Sequence, residues 1–222
     1  MNNNTTNVVR RRKFMTKEKL IEELIREGYL KTPAIVEAFR VIDRKDFVTP
    51  EMAEFAYLNQ ALPIGEGQTI SQPLTVAFMI ELLDPKPGEK ILDVGAGSGW
   101  QAALLAQIVG EQGKVIAVER IAELKKFTEQ NLEKYQLVSK GIVKIIEGDA
   151  SQGFSEEAPF DKIIAAAAAK SIPEAWKSQI RVGGRIVAPL DHSVVVLNKI
   201  SATEFEKKEF FGFSFVPLIT DN

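Results

Sequence analysis

The chain contains no cysteine, which excludes disulfides, thiolate metal sites and cysteine nucleophiles. It has a single histidine, His192, too few for the common multi-histidine metal centres, so no metal is expected. No apolar run approaches the ~20 residues needed to cross a bilayer. The polar start, MNNNTTNVV, lacks the charged and apolar regions of a leader peptide. Positive charge is not in excess either: 28 Lys and Arg against 30 Asp and Glu leave a formal charge of −2. There is thus no global basic field to hold nucleic acid. These absences lead us to expect a metal-independent protein of the cytoplasm, with neither nucleic acid nor membrane as partner; a monomer is expected as well, though no residue pattern speaks to it.

What is present suits a folded globular chain. With 222 residues, 45% of them hydrophobic and 26% charged, it can build one sizeable core or one domain with a small appendage. Residues 1–13 are polar, then basic, without periodicity, and read as a disordered tail. Residues 14–71 read as a helical N-terminal extension. Thr16 is placed to cap a helix over 17–27, with Leu20, Ile21, Leu24 and Ile25 on one face and Gly28 at its end. A second helix follows Thr32 and Pro33. Residues 48–57 read as loop and short turn. The stretch 62–73, LPIGEGQTISQP, reads as a loop rich in Gly, Pro and small hydroxyl residues, suited to covering a pocket.

From 72 onward strands and helices alternate. Helices are predicted over 73–83, 101–109, 122–135 and 173–179. Strands are predicted over 90–94, 114–119, 143–147, 160–166, 184–189, 194–200 and 209–216. The pattern implies an α/β domain over 72–222, a Rossmann-like, doubly wound, mostly parallel sheet covered on both faces. The last two strands have no long helix between them, so they form an antiparallel C-terminal hairpin.

The richest stretch is 91–100, ILDVGAGSGW: a buried strand, a turn with Gly95, Gly97 and Gly99, and the start of a helix. Glycines let the backbone turn sharply and let a ligand approach without a Cβ in the way. The dinucleotide fingerprint spaces its glycines G-x-G-x-x-G to admit a pyrophosphate. Here the spacing is G-x-G-x-G behind Asp93, a carboxylate that repels a pyrophosphate and attracts a cation. A turn that merely packs tightly would satisfy the same pattern. The next strand ends in Glu119, about 20 residues on, where an acidic side chain commonly accepts from ribose hydroxyls. A solvated charge is the bland alternative there. The third strand runs out into Glu147-Gly148-Asp149-Ala150. Three acidic positions at three strand ends are more specific than any one of them.

The 91–100 pattern resembles motif I of the class I S-adenosylmethionine-dependent methyltransferases. That resemblance implies S-adenosylmethionine as cofactor, with Asp93, Gly95, Gly97 and Gly99 around its amino-acid part. It places Glu119 at the ribose, Asp149 and Ala150 at the adenine, and counts Arg120 among the cofactor-binding residues. A longer set of phrases is similar to the protein-L-isoaspartate O-methyltransferase family. These are AFRVIDRKDFV at 38–48, AYLNQALPIG at 56–65, the GQTIS loop, GKVIAVE, EGDA, EEAPFD, VGGRIVAP and the closing VPL at 216–218. The likeness runs from about Thr32 to Pro189. It implies methylation of the α-carboxylate of L-isoaspartyl residues in damaged proteins, whose ester then closes to a succinimide.

By the same resemblance Ser71 is the catalytic candidate, and Gln68, Thr69 and Ile70 frame cofactor and substrate through their backbone. Spacing alone would equally make Ser71 the cap of the helix at Pro73. The sequence departs from the family in three places. No histidine stands in or after the loop, so no contact assigned to one is carried over. Gln72 stands where alanine is common. The run 165–169 is all alanine, which leaves backbone groups to hold an acceptor. Two other readings remain open at this point. One is another class I methyltransferase, acting on tRNA or a small molecule. The other is a protein that binds S-adenosylmethionine without using it.

Overall fold

The computed structural model describes residues 15–220; the basic tail expected at 1–13 lies outside them. The N-terminal helices form where the apolar spacing places them. Helix α1 spans Lys17–Arg26, and the Thr16 side chain accepts from Lys19 N as its cap. Helix α2 spans Pro33–Val41, opened by a proline whose missing N–H costs nothing at a first turn. Two 3-10 turns follow, Arg44–Phe47 and Pro50–Phe55.

The stretch 62–73 is more ordered than a loop. Strands β1 (Leu62–Gly65) and β2 (Gln68–Ile70) form an antiparallel hairpin, with Leu62 opposite Ile70. The reversal falls on Glu66 and Gly67, with φ of 52° and 68°. Positive φ at both central positions matches the right-handed twist of the strands. Helix α3 (Pro73–Leu83) then leads into the sheet.

The sheet alternates as predicted. Strand β3 (Lys90–Val94), helix α4 (Trp100–Val109), strand β4 (Lys114–Glu119), helix α5 (Ala122–Glu133) and strand β5 (Val143–Glu147) come first. Strand β6 (Phe160–Ala165), the short helix α6 (Glu174–Gln179), and strands β7 (Ile180–Leu190), β8 (Ser193–Lys199) and β9 (Phe205–Phe211) complete it. The seven strands lie in the order β5-β4-β3-β6-β7-β8-β9. Strands β5, β4, β3, β6 and β7 run parallel to one another, and β8 is antiparallel to both β7 and β9. The last strand ends at Phe211, short of the expected 209–216, and 212–219 is left to run elsewhere.

Alternate strand residues feed two apolar clusters. Ile91, Val115 and Ala117 face one, and Leu92, Ile116 and Val118 the other. Both faces are covered, as expected, though unequally. The first face carries α3, α4 and α5, and α2 packs over α4, with Phe39 edge-on to Trp100 at 5.5 Å. That outer layer explains why α4 is buried almost all round. The second face carries the six-residue α6, anchored by the fully buried Trp176, and 3-10 turns.

Candidate active site

The strand order reverses at β3, between β4 and β6, and the C-terminal ends of these strands share one edge. Ligands bind at such switch points in open α/β sheets. A cleft opens there, built from the hairpin, the ends of the central strands and the C-terminal segment. The hairpin end contributes Gln68, Thr69 and Ser71. The glycine turn contributes Gly95 and Gly97, and the end of β4 contributes Glu119, Arg120, Ile121 and Leu124. Ala150, Ala166, Ala167 and the C-terminal residues 216–219 close the rest.

Glu119 is 6% exposed, and both of its oxygens are held. Gly97 N donates to Oε2 at 2.9 Å and Ile121 N donates to Oε1 at 3.0 Å. Each carboxylate oxygen keeps a further lone pair, so the group can accept from two vicinal hydroxyls at once. The turn is fixed from both sides. Gly95 N and Ala96 N donate to Val118 O, while Thr128 Oγ1 donates to Gly97 O and Asn131 Nδ2 to Ser98 O.

The three glycines do different work. A Cβ on Gly95 would meet nothing within 4 Å, so the need there is for φ of 81° beside the open cleft. Gly99 does not line the cleft. A Cβ on it would stand 3.0 Å from Thr128 Cγ2 and 3.3 Å from Leu132 Cγ, so this glycine lets α5 approach the turn.

Asp93 also lies away from the cleft surface, wholly buried beneath the turn. Gln101 Nε2 donates to its Oδ1 at 2.7 Å, and its Oδ2 is a buried acceptor without a donor. Burial pushes the Asp93 carboxyl up to about 7; the Gln101 bond opposes the rise and the nearby charge of Glu119 adds to it. Asp149 does not line the cleft either. Its side chain accepts from Ser151 N at 2.9 Å, capping the turn that presents Ala150. Ile70 is buried and lines a smaller recess behind Ser71, between the hairpin and the glycine turn.

Ser71 is not the cap of α3. Gln72 is the N-cap, and Asn59 Oδ1 supplies the side-chain acceptor for Leu74 N at 3.0 Å. The Ser71 hydroxyl makes no hydrogen bond among the described residues. It stands where the cleft meets a second hollow, lined by Ala61, Thr69, Ser71, Gln72, Thr75, Ala166, Ser214, Phe215 and Val216. Thr69, Ser71, Ala166 and Val216 belong to both. The alanine run, whose backbone was expected to hold an acceptor, has part of that backbone already committed. Ala166 N donates to Val94 O, Ala168 N to Val216 O and Ala169 N to Pro189 O, and Leu218 N donates back to Ala168 O at 2.7 Å. The C-terminal segment is therefore strapped across the cleft mouth. Its part in the site was not apparent in the sequence, where VPL at 216–218 was the only signal. Among the described residues, no cluster of His, Cys, Asp and Glu could hold a metal ion, and no helix is long and apolar enough to cross a membrane.

The residues fit an S-adenosyl group. Glu119 has acceptors to spare, Gly95 and Gly97 have no Cβ to obstruct it, and Ile121, Leu124 and Ala150 offer apolar surface to a purine. Fold and cleft together define a class I S-adenosylmethionine-dependent methyltransferase. Comparison with known proteins narrows this. The sequence model of the protein-L-isoaspartate(D-aspartate) O-methyltransferase (PCMT) family matches residues 15–222, and the chain belongs to that family. The protein-L-isoaspartate O-methyltransferase of Methanopyrus kandleri is 41% identical over 207 residues, 91% of each chain. That of Methanothrix thermoacetophila is 43% identical over 208 residues, covering 92% of this chain and 95% of the relative. Among solved structures, a Plasmodium falciparum chain described as a beta-aspartate methyltransferase (PCMT), in complex with S-adenosyl-L-homocysteine, superposes with a TM-score of 0.81. It is 25% identical and covers 91% of this chain and 97% of its own.

Proposed function

We propose that this chain transfers the methyl group of S-adenosylmethionine to the α-carboxylate of L-isoaspartyl residues in damaged proteins, with Ser71 as the residue that holds the acceptor. The observation that carries the residue assignment is the position of Ser71 at the wall shared by cleft and second hollow, its hydroxyl uncommitted. S-adenosylmethionine, when bound, supplies the methyl group on a sulfonium, an activated leaving group. Glu119 would hold the ribose, the turn at Gly95 and Gly97 the amino-acid part, and Ile121, Leu124 and Ala150 the adenine. Gln68 and Thr69 would border the bound cofactor from the hairpin, and Arg120 from the rim. Asp93, Gly99 and Asp149 would support these contacts from behind.

The acceptor hollow is lined by neutral hydroxyls and an amide: Thr69, Ser71, Gln72, Thr75 and Ser214. A carboxylate is already ionised at pH 7, since such groups titrate near pH ~4, so no residue has to remove a proton. A serine hydroxyl can donate to one carboxylate oxygen and leave the other to react. An Arg or Lys at the same point would bind the carboxylate more strongly and occupy its lone pairs. Catalysis then rests on alignment and exclusion of water. The hairpin of the 14–71 region carries the acceptor contact, and the 72–222 region carries the cofactor. Because one chain builds both hollows, a monomer suffices. The chain's slight negative charge fits protein acceptors of the cytoplasm better than nucleic acid.

The test is methyl transfer from labelled S-adenosylmethionine to paired peptides carrying L-isoaspartate or aspartate at one position. Base-labile label on the isoaspartyl peptide alone is expected. Label on neither, with the cofactor still binding by calorimetry, would overturn the acceptor assignment.

A further inference from the structure

The most unusual buried group outside the two hollows is a cation. Arg44 sits in the 3-10 turn after α2 and is 2% exposed. No carboxylate pairs with it among the described residues. Instead its guanidinium is held by backbone carbonyls: Nη1 donates to Ala56 O at 2.6 Å and Leu58 O at 3.4 Å, and Nη2 donates to Gln60 O and Ser71 O, both at 3.0 Å. Its Cζ lies 5.3 Å from the centre of the Trp100 ring. Burial lowers the Arg44 pKa to about 9, so it remains a cation at neutral pH.

The partners of this cation have a pattern. Ala56, Leu58 and Gln60 belong to the segment that enters the hairpin, and Ser71 is the residue that leaves it. Trp100 opens α4, directly after the glycine turn. One planar group therefore joins both ends of the acceptor hairpin to the helix that follows the cofactor turn. A buried cation with no anion is costly unless its donors are satisfied; here four backbone carbonyls take up Nη1 and Nη2 and fix where they lie, while Nε has no hydrogen-bond partner among the described residues. The Ser71 hydroxyl is reached through the same residue whose carbonyl Arg44 grips.

We propose that Arg44 is a positioning residue for methyl transfer: through the Ser71 carbonyl and the Trp100 ring it sets the Ser71 hydroxyl against the cofactor turn. Arg44 touches neither hollow. The cofactor contacts at Glu119, Ile121 and Leu124 do not run through it. Displacing Ser71 would thus slow transfer and leave cofactor binding as it was. A shift of about 1 Å at a reacting group can cost roughly 100-fold in rate.

The proposal rests on Ser71 holding the acceptor, and the test separates the two. Arg44→Lys keeps the charge but loses the planar fork. We expect kcat on an isoaspartyl peptide to fall roughly 10- to 100-fold. Cofactor Kd and the fraction of binding-competent chains, both from calorimetry, should stay at wild-type values. A chain that was merely destabilised would instead lose competent fraction. The double variant Arg44→Lys/Ser71→Ala should be no slower than Ser71→Ala alone, because Arg44 acts through Ser71. Multiplying losses, an unchanged kcat, or a cofactor Kd that rises in step would overturn the proposal. Arg44→Gln, which retains two donors, replaces Arg44→Lys should the latter fail to fold. Failure of both would make Arg44 a determinant of the fold and overturn the proposal as well. An inactive wild type, or a Ser71→Ala variant of unchanged kcat, would instead strike at the acceptor assignment.

Discussion

Replacing Asp93 with Asn should make the protein's stability less sensitive to pH. In the folded chain the Asp93 carboxyl is wholly buried, holds one hydrogen bond and leaves Oδ2 without a donor. Burial pushes it up to about 7, from an ordinary value of 3.8 in the unfolded chain. Between these two values the folded state keeps a proton that the unfolded state has released. Stability is therefore greatest below the unfolded value and declines as pH rises through the folded one. The slope is about 1.4 kcal/mol per pH unit over that window. From pH 5 to pH 8 the carboxyl accounts for roughly 3 kcal/mol, most of it lost before pH 7. The amide of Asp93→Asn does not titrate and can still accept from Gln101. Its NH2 group adds a constant offset that the comparison removes. Urea unfolding of both proteins at pH 5 and pH 8 gives four stabilities, and other titrating groups cancel in the difference. The variant should gain about 3 kcal/mol on the wild type between the two pH values. Parallel pH dependences would refute the reasoning, because they would mean that the carboxyl is solvated or paired in the native state.

Three further outcomes follow from the site. Glu119→Ala removes the acceptors for vicinal hydroxyls and strands the N–H groups of Gly97 and Ile121. Cofactor Kd should rise by at least tenfold, since a hydrogen bond to a charged group is worth about 1.5–3 kcal/mol; an unchanged Kd by calorimetry would exclude the ribose role. Ser71→Ala should lower kcat by roughly 10- to 100-fold, as loss of a single aligned donor does elsewhere, with cofactor Kd held; equal losses in both would make Ser71 structural. Gly99→Ala places a Cβ 3.0 Å from Thr128 at a φ of 85°. It should cost roughly 1–3 kcal/mol of stability in thermal melts; an unchanged melting temperature would refute the packing role.

The cofactor half of this protein was legible in its sequence because its signals are local. Short apolar runs marked β3, β4 and β5 to the residue, and the acidic side chain ending β4 stands at the cleft where the spacing placed it. A strand's period and a turn's glycines depend on the backbone of a few neighbouring residues. The hairpin at 62–70 was missed because its strands are four and three residues long, too short for a period to declare itself. Its turn residues, Gly65, Glu66 and Gly67, were the available signal.

The chemistry of the individual side chains was a different matter. Asp93 and Glu119 are both acidic residues at or near strand ends, and nothing in their spacing separates them. Only packing makes the first a wholly buried acid under the turn, its pKa raised by burial, and the second an acceptor held at the cleft by two backbone N–H groups. Gly95 and Gly99 look alike in the motif, yet one borders the cleft and the other yields room to Thr128. Arg44 lies 27 residues from Ser71 along the chain, among other basic residues of the same run. The segment 216–219 closes the cleft by pairing with Ala168, nearly fifty residues earlier. Local patterning set the strands, the turn and thus the class of ligand. Which acid is buried, which glycine packs and which cation holds the acceptor loop were decided by burial and by contacts between distant segments, and these exist only in the folded chain.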